Sequence, residues 1–178
     1  MPIFEDDFDR VRLLDAVARA VRSHRWRCLA YCLMGNHYHL LLQTPEPNLS
    51  SGMRLVQGGY ARRFNRRHDR RGHLFGDRFH DLRVDGEEHL LSAAVYTVLN
   101  PVRAGIAGTA EQWRWSSYRA TAGLDEKPSF LAVEDLLALL SPQREGAQAM
   151  YREMVAEAGR RRGRGGVSAF KAGDSHLR

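Results

Sequence analysis

Cysteine and lysine are equally scarce in this chain, two of each, and long apolar runs are missing. The two cysteines, Cys28 and Cys32, have no second pair to close a four-cysteine zinc site. A disulfide scaffold is excluded too, and on a strand both would share a face with Ala30, which favours core packing over metal or redox chemistry. No window approaches the roughly 18 consecutive apolar residues that a membrane span needs, so no membrane partner is expected. The N-terminus, Met-Pro-Ile-Phe-Glu-Asp-Asp, is acidic and lacks a basic region followed by an apolar one. No export signal is expected there, and the cytoplasm is the default location. No internal repeat is found. At 178 residues the chain fits one domain with an appendage and can bury a core without staples.

What is abundant is arginine. Lys and Arg total 27 against 21 Asp and Glu, for a net charge of +6 and a pI near 9.8. The planar guanidinium suits bidentate phosphate contact, so the balance points toward nucleic acid. Clustering sharpens this, because Arg62, Arg63, Arg66, Arg67, Arg70 and Arg71 crowd one stretch and Arg160, Arg161, Arg162 and Arg164 another. The plainer reading of each run is a solvated face.

Periodicity orders the elements. Phe8, Val11, Leu14, Val17 and Val21 have helical spacing over Asp6 to His24, with Asp6 or Asp7 as cap. Trp26 to Cys32 and Leu33 to Thr44 read as a hairpin turning at Gly35-Asn36, with Leu40 to Gln43 buried on both faces. A second helix capped by Asn48 or Ser50 runs to about Arg66, with Leu49, Met53, Val56, Tyr60 and Phe64 on one side. Alternation predicts a short strand from Arg78 to Val84, and Asp85-Gly-Glu-Glu88 resembles a capping box opening a third helix that stops at Asn100-Pro101. Trp113, Trp115 and Tyr118 read as a packing clip, Gly123 to Lys127 as a linker, and Val133 to Leu140 and Ala147 to Ala158 as helices. The tail from Gly159 is basic and too poor in apolar residues to order. The sum is an α+β fold, helices packed on an antiparallel sheet.

Two features carry chemistry. His37 and His39 project from one face of the second strand while Tyr38 and Leu40 take the other. Two imidazoles on a rigid strand are half a metal site, although two packed histidines would give the same pattern. Tyr96 and Asn100, four apart, share one face near the end of the third helix. A phenol is an adequate nucleophile against a metal-polarised phosphodiester, and an amide oxygen with imidazole nitrogens suits Mg²⁺ or Mn²⁺ better than zinc in thiolates. On its own Tyr96, a helix tyrosine beside apolar neighbours, reads as a core residue before a catalytic one.

Together the blocks M-G-N-H-Y-H-L-L-L, N-L-S-S-G-M-R, G-G-Y-A-R-R-F-N-R-R-H, G-H-L-F-G-D-R-F and Y-T-V-L-N-P-V-R-A-G-I, in that order, resemble the single-tyrosine HUH transposases, specifically the REP-associated tyrosine transposase branch. The likeness spans about Ile3 to Tyr118. It implies an HUH catalytic domain over residues 1–120, of ferredoxin-like sheet-and-helix type, followed by a helical extension over 121–158 and a disordered basic tail over 159–178. It further implies a nuclease and strand transferase that cuts single-stranded DNA beside hairpins. By that resemblance His37 and His39 are metal ligands for Mg²⁺ or Mn²⁺, Asn100 is the third, helix-borne ligand, and Tyr96 is the nucleophile that forms a 5′-phosphotyrosine. Arg62, Arg63, Arg66, Arg67, Arg70 and Arg71 become contacts to DNA phosphates. Relatives include monomers and dimers, so a homodimer is one expectation. Relatives usually begin with another strand ending in an R-G-N-like turn before the segment matching Pro2 to Asp6, so the sheet here is expected to lack its first strand. Gly76 stands where a polar residue such as glutamine is expected. Two other functions stay open: a catalytically inactive, truncated or domesticated relative acting only as a DNA-binding protein, and a metal hydrolase of small phosphoesters, which leaves both arginine clusters unexplained.

Overall fold

The computed structural model describes residues 2–76 and 79–161. It is an α+β arrangement in which helices cover a two-stranded antiparallel sheet. Helix α1 (Asp7–His24) starts where the Asp6 carboxylate accepts the Asp9 N–H at 3.0 Å, and ends where Arg25 turns left-handed at φ 55°. The expected cap is therefore present. The buried stripe is rotated from the expected one. Leu13, Ala16, Val17, Ala20 and Val21 face the core, while Phe8 and Val11 are 48% and 44% exposed. Alanines complete the apolar face, and Phe8 instead receives the guanidiniums of Arg12 and Arg67 at 4.6 and 4.7 Å from its ring.

Strands β1 (Arg27–Leu33) and β2 (Tyr38–Gln43) form the expected hairpin, closed where the Met34 N–H donates to the His37 carbonyl at 2.9 Å. Cys32 pairs with His39 and Leu33 with Tyr38. Every β1 residue after Arg27 is buried, because the strand is hydrogen-bonded along both edges. On the side away from β2, the Leu33 N–H donates to Trp115 at 2.8 Å, the Ser117 N–H to Tyr31 at 2.9 Å and the Ala132 N–H to Cys28 at 2.8 Å. The Trp113 indole adds a bond to the Leu33 carbonyl at 2.9 Å, so the tryptophan-rich segment does serve packing.

Two strand expectations need correction. In β2 only Leu41 is buried, with Leu40 and Leu42 partly so and Gln43 exposed, because β1 is its sole ladder partner among the described residues. The strand expected from Arg78 to Val84 is not formed over 79–84, and Arg78 itself lies outside the described residues. Leu82 is 70% exposed and Arg83 Nε donates to the neighbouring Asp85 carboxylate at 2.8 Å. An alternating pattern becomes a strand only where an edge receives its backbone and a core receives one face; Phe79 and Val84 rest against the core, but no edge pairs with residues 79–84.

Helix α2 (Leu49–Arg67) buries Met53, Val56, Tyr60 and Phe64 as expected. Asn48 does not cap it with its side chain. Its amide oxygen instead accepts the Trp26 indole N–H at 2.6 Å and its amide nitrogen donates to the His24 carbonyl at 3.1 Å, which pins the start of α2 to the end of α1. The Trp26 ring lies so close to Gly52 that an added Cβ would stand 2.2 Å from it. Helix α3 (Glu87–Arg103) likewise lacks the expected side-chain box. Gly86 at φ 85° opens it, and the Asp85 carboxylate is committed to Arg83.

The C-terminal elements α4 (Tyr118–Thr121), α5 (Val133–Leu137) and α6 (Arg144–Arg161) add Tyr118, Leu131, Val133, Leu136, Tyr151 and Val155 to the same core that holds β1. Helix α6 packs on α3. The expected tail lies outside the described residues from position 162 on, together with Arg162 and Arg164; Arg160 and Arg161 close α6.

Helices α1 and α2 are joined by one buried carboxylate. Asp9, 2% exposed, accepts the Glu5 N–H at 2.9 Å and Arg67 Nη1 at 2.7 Å, and lies 3.0 Å from His68 Nε2. Burial pushes its carboxyl up, but the Glu5 N–H, Arg67 and His68 outweigh that and hold it below 3.8. Asp9→Ala leaves the Glu5 N–H and the His68 ring without their buried acceptor, while Arg67 keeps Asp6, and is expected to cost about 2 kcal/mol in urea unfolding. Because the folded carboxyl is the stronger acid, Asp9's contribution is present above about pH 4 and is lost as pH falls through its lower folded value. An Asp9→Ala protein as stable as the parent, with the same acid limb, would contradict this.

Candidate active site

The hairpin register fixes two imidazoles in space. Tyr38 turns toward the α2 side, where its ring meets Phe75 at 6.1 Å and Phe75 in turn meets Tyr60. His37 and His39 therefore turn to the other face of β2. Their rings stand edge to face with centroids 5.0 Å apart. An imidazole nitrogen sits ~2 Å from a bound divalent metal, so two rings sharing one ion side by side have centroids ~5 Å apart.

Their protonation is set by different neighbours. His37 Nδ1 lies 2.7 Å from the Asn36 side-chain oxygen, which can only accept, so Nδ1 carries the hydrogen and Nε2 keeps its lone pair. His39 Nε2 is buried with no hydrogen-bond partner. Desolvation first, then the neighbouring His37, pushes the His39 imidazole down to about 4, and desolvation lowers His37 as well. Both rings are thus neutral near pH 7. A pair of neutral imidazoles, one with a buried nitrogen that has no proton partner, fits the donor chemistry of a divalent metal. Among the described residues no third His, Cys, Asp or Glu joins them. A metal held by this pair would need amide, hydroxyl, water or substrate oxygens as its further ligands.

Helix α3 packs against both β1 and β2. It continues through Asn100 and Pro101 to Arg103, one turn beyond the expected stop. The reason is Asn100: its amide nitrogen donates to the Tyr96 and Thr97 carbonyls, both at 3.1 Å, and supplies a donor where proline has none. Tyr96 and Asn100 share a face as expected. Tyr96 is half-buried, and the Arg103 guanidinium lies 4.2 Å from its ring centroid.

The arginine cluster divides. Arg62, Arg63, Arg66 and Arg71 are exposed, and Arg70 lies over the Phe64 ring at 5.7 Å. Arg67 is a structural residue, with Nη1 donating to Asp6 and Asp9, Nη2 to Asp6, and its plane on Phe8. Its charge is already matched. Two residues have a part here that their sequence pattern alone does not assign: Asn36, expected only as a turn residue, and Arg103. Asn36 sits beside the histidine it orients, and Arg103 lies seven positions after Tyr96, two helical turns on the same face; both were legible as spacings.

A family model described as "Transposase IS200 like" matches residues 1–96, more than half of the chain and ending at Tyr96. Searches of curated proteins and of solved structures found no match.

In the metal-free protein, the His39 ring is expected to titrate by NMR with a midpoint of about 4. An unfolded histidine binds its proton near 6.5, so between those values the unfolded chain takes up a proton that the folded one refuses. Stability therefore falls as pH drops through that window. A midpoint near 6.5 would show the ring to be solvated and the arrangement wrong.

Proposed function

Since this chain belongs to the IS200-like transposase family, whose members process DNA, we propose that it cuts and rejoins single-stranded DNA beside hairpins, with Tyr96 as nucleophile and His37, His39 and Asn100 as ligands of Mg²⁺ or Mn²⁺. One observation carries the reading: the buried, unpartnered Nε2 of His39 beside a His37 whose Nδ1 is already occupied. Core histidines are as a rule hydrogen-bonded, because an unpaired buried polar atom costs free energy; four other buried side-chain atoms among the described residues are unpaired, and none of them is an imidazole nitrogen.

In this reading the Tyr96 hydroxyl gives up its proton as its oxygen attacks the scissile phosphorus. The bond between phosphorus and the 3′ oxygen breaks, that oxygen takes a proton and leaves as a 3′-OH, and the 5′ phosphate remains on the phenol. When bound, the metal withdraws charge from the phosphate oxygens and so favours attack. Rejoining is the reverse reaction with a new 3′-OH, and it needs no nucleotide because the phosphotyrosine keeps the energy of the cleaved bond. The Arg103 guanidinium limits the freedom of the Tyr96 ring. Arg62, Arg63, Arg66, Arg70 and Arg71 hold the strand through its phosphates; Arg67 is left out because its carboxylate partners already occupy it.

The test is incubation of the protein with a single-stranded hairpin oligonucleotide and Mn²⁺, followed by a denaturing gel. A covalent protein–DNA band is expected from the parent, and loss of more than about 10³-fold from Tyr96→Phe. Equal adduct from Tyr96→Phe would remove the nucleophile assignment, and DNA binding with no adduct from the parent would leave a DNA-binding protein only. Binding should weaken steeply with salt, and Arg63→Gln or Arg66→Gln should each lower the slope of log affinity against log salt by about 1.

A further inference from the structure

We infer that Pro101 is a positioning residue for the metal site, acting through the Asn100 side chain. The inference rests on the proposed role of Asn100 as a ligand. In an α-helix the carbonyl of residue 97 takes the N–H of residue 101. Here residue 101 is proline, and it lies inside α3. Proline has no N–H to give. Thr97 is 7% exposed, so its carbonyl cannot count on bulk water for a replacement.

The replacement comes from the side chain next door. Asn100 Nδ2 donates to the Thr97 carbonyl at 3.1 Å and, with its second hydrogen, to the Tyr96 carbonyl at 3.1 Å. Both amide hydrogens are then spent on two fixed backbone acceptors. An amide held by both hydrogens cannot flip end for end, so Oδ1, its only acceptor, faces away from those carbonyls. A free asparagine at the same place would offer nitrogen and oxygen about equally, and the nitrogen is no ligand for a cation. Pro101 thus does two things at once: it removes the competing backbone donor, and it creates the acceptor that fixes the amide's orientation. This is the outer hydrogen bonding that orients metal ligands, here made from the helix's own backbone.

Alanine at position 101 restores the competing N–H. The measurement is Mn²⁺ affinity by calorimetry on the full chain without DNA, with circular dichroism to confirm that each variant is helical. Pro101→Ala should bind Mn²⁺ on the order of tenfold more weakly, the lower end of what loss of a ligand's outer hydrogen bond costs. Asn100→Ala should weaken it at least as much, and Asn100→Ala with Pro101→Ala should bind no more weakly than Asn100→Ala alone, because proline acts only through the amide. Unchanged affinity in Pro101→Ala, or an undiminished loss in the Asn100→Ala background, would overturn the inference. His39→Ala separates the two levels. If it leaves Mn²⁺ binding intact, or the parent binds none, the metal reading fails and this inference with it. If it abolishes binding while Pro101→Ala changes nothing, only the role of Pro101 fails.

Discussion

Strand β1 is hydrogen-bonded along both edges, and the rest of the molecule is hung from it. On one side it holds β2, whose register through Cys32 and His39 decides where the imidazoles point. On the other it receives Trp115, Ser117 and Ala132 from the C-terminal part of the chain. With protein covering both edges, its backbone must stay paired. A slip by one residue would turn His37 and His39 to the α2 face and Tyr38 away from it. The histidine geometry is therefore inherited from a ladder whose far edge is made by Trp115, Ser117 and Ala132, from the C-terminal part of the chain.

The two helices on which function is proposed are fixed in different ways. Helix α2 is held by charge at its C-terminal end, through Asp9 and Arg67, and by the Trp26, Asn48 and Gly52 contact at its start. Helix α3 is held by packing on the strands and beneath α6. Its last turn departs from regular helix because Pro101 and Asn100 exchange a backbone donor for a side-chain one. Arg67 is matched by two carboxylates, whereas its neighbour Arg66 is exposed and belongs to the arginines proposed to hold the DNA strand.

Much of this was legible in the residues. The hairpin, the caps at Asp6 and the buried side of α2 follow from local patterns that the fold does not override. The H-x-H spacing, the four-residue interval from Tyr96 to Asn100 and the ordered motif blocks pointed to the family that the match over 1–96 bears out. What was not legible depends on partners, near or distant, that the local pattern does not single out. The 79–84 segment alternates like a strand but finds no edge. Asn48 and Asp85 look like caps and are taken by Trp26 and by Arg83. Arg67 belongs to a basic run, yet its role was decided by carboxylates some sixty positions away. Pro101 reads as a stop unless the neighbouring amide is known to supply the missing donor.

The account stands on one phenol acting upon DNA held beside two imidazoles. Its most direct test is peptide mapping by mass spectrometry of the covalent product formed with a hairpin oligonucleotide and Mn²⁺. The account predicts nucleotide mass on the peptide that follows Arg83 and ends at Arg103, whose one tyrosine is Tyr96. Nucleotide mass on any other tyrosine would contradict it.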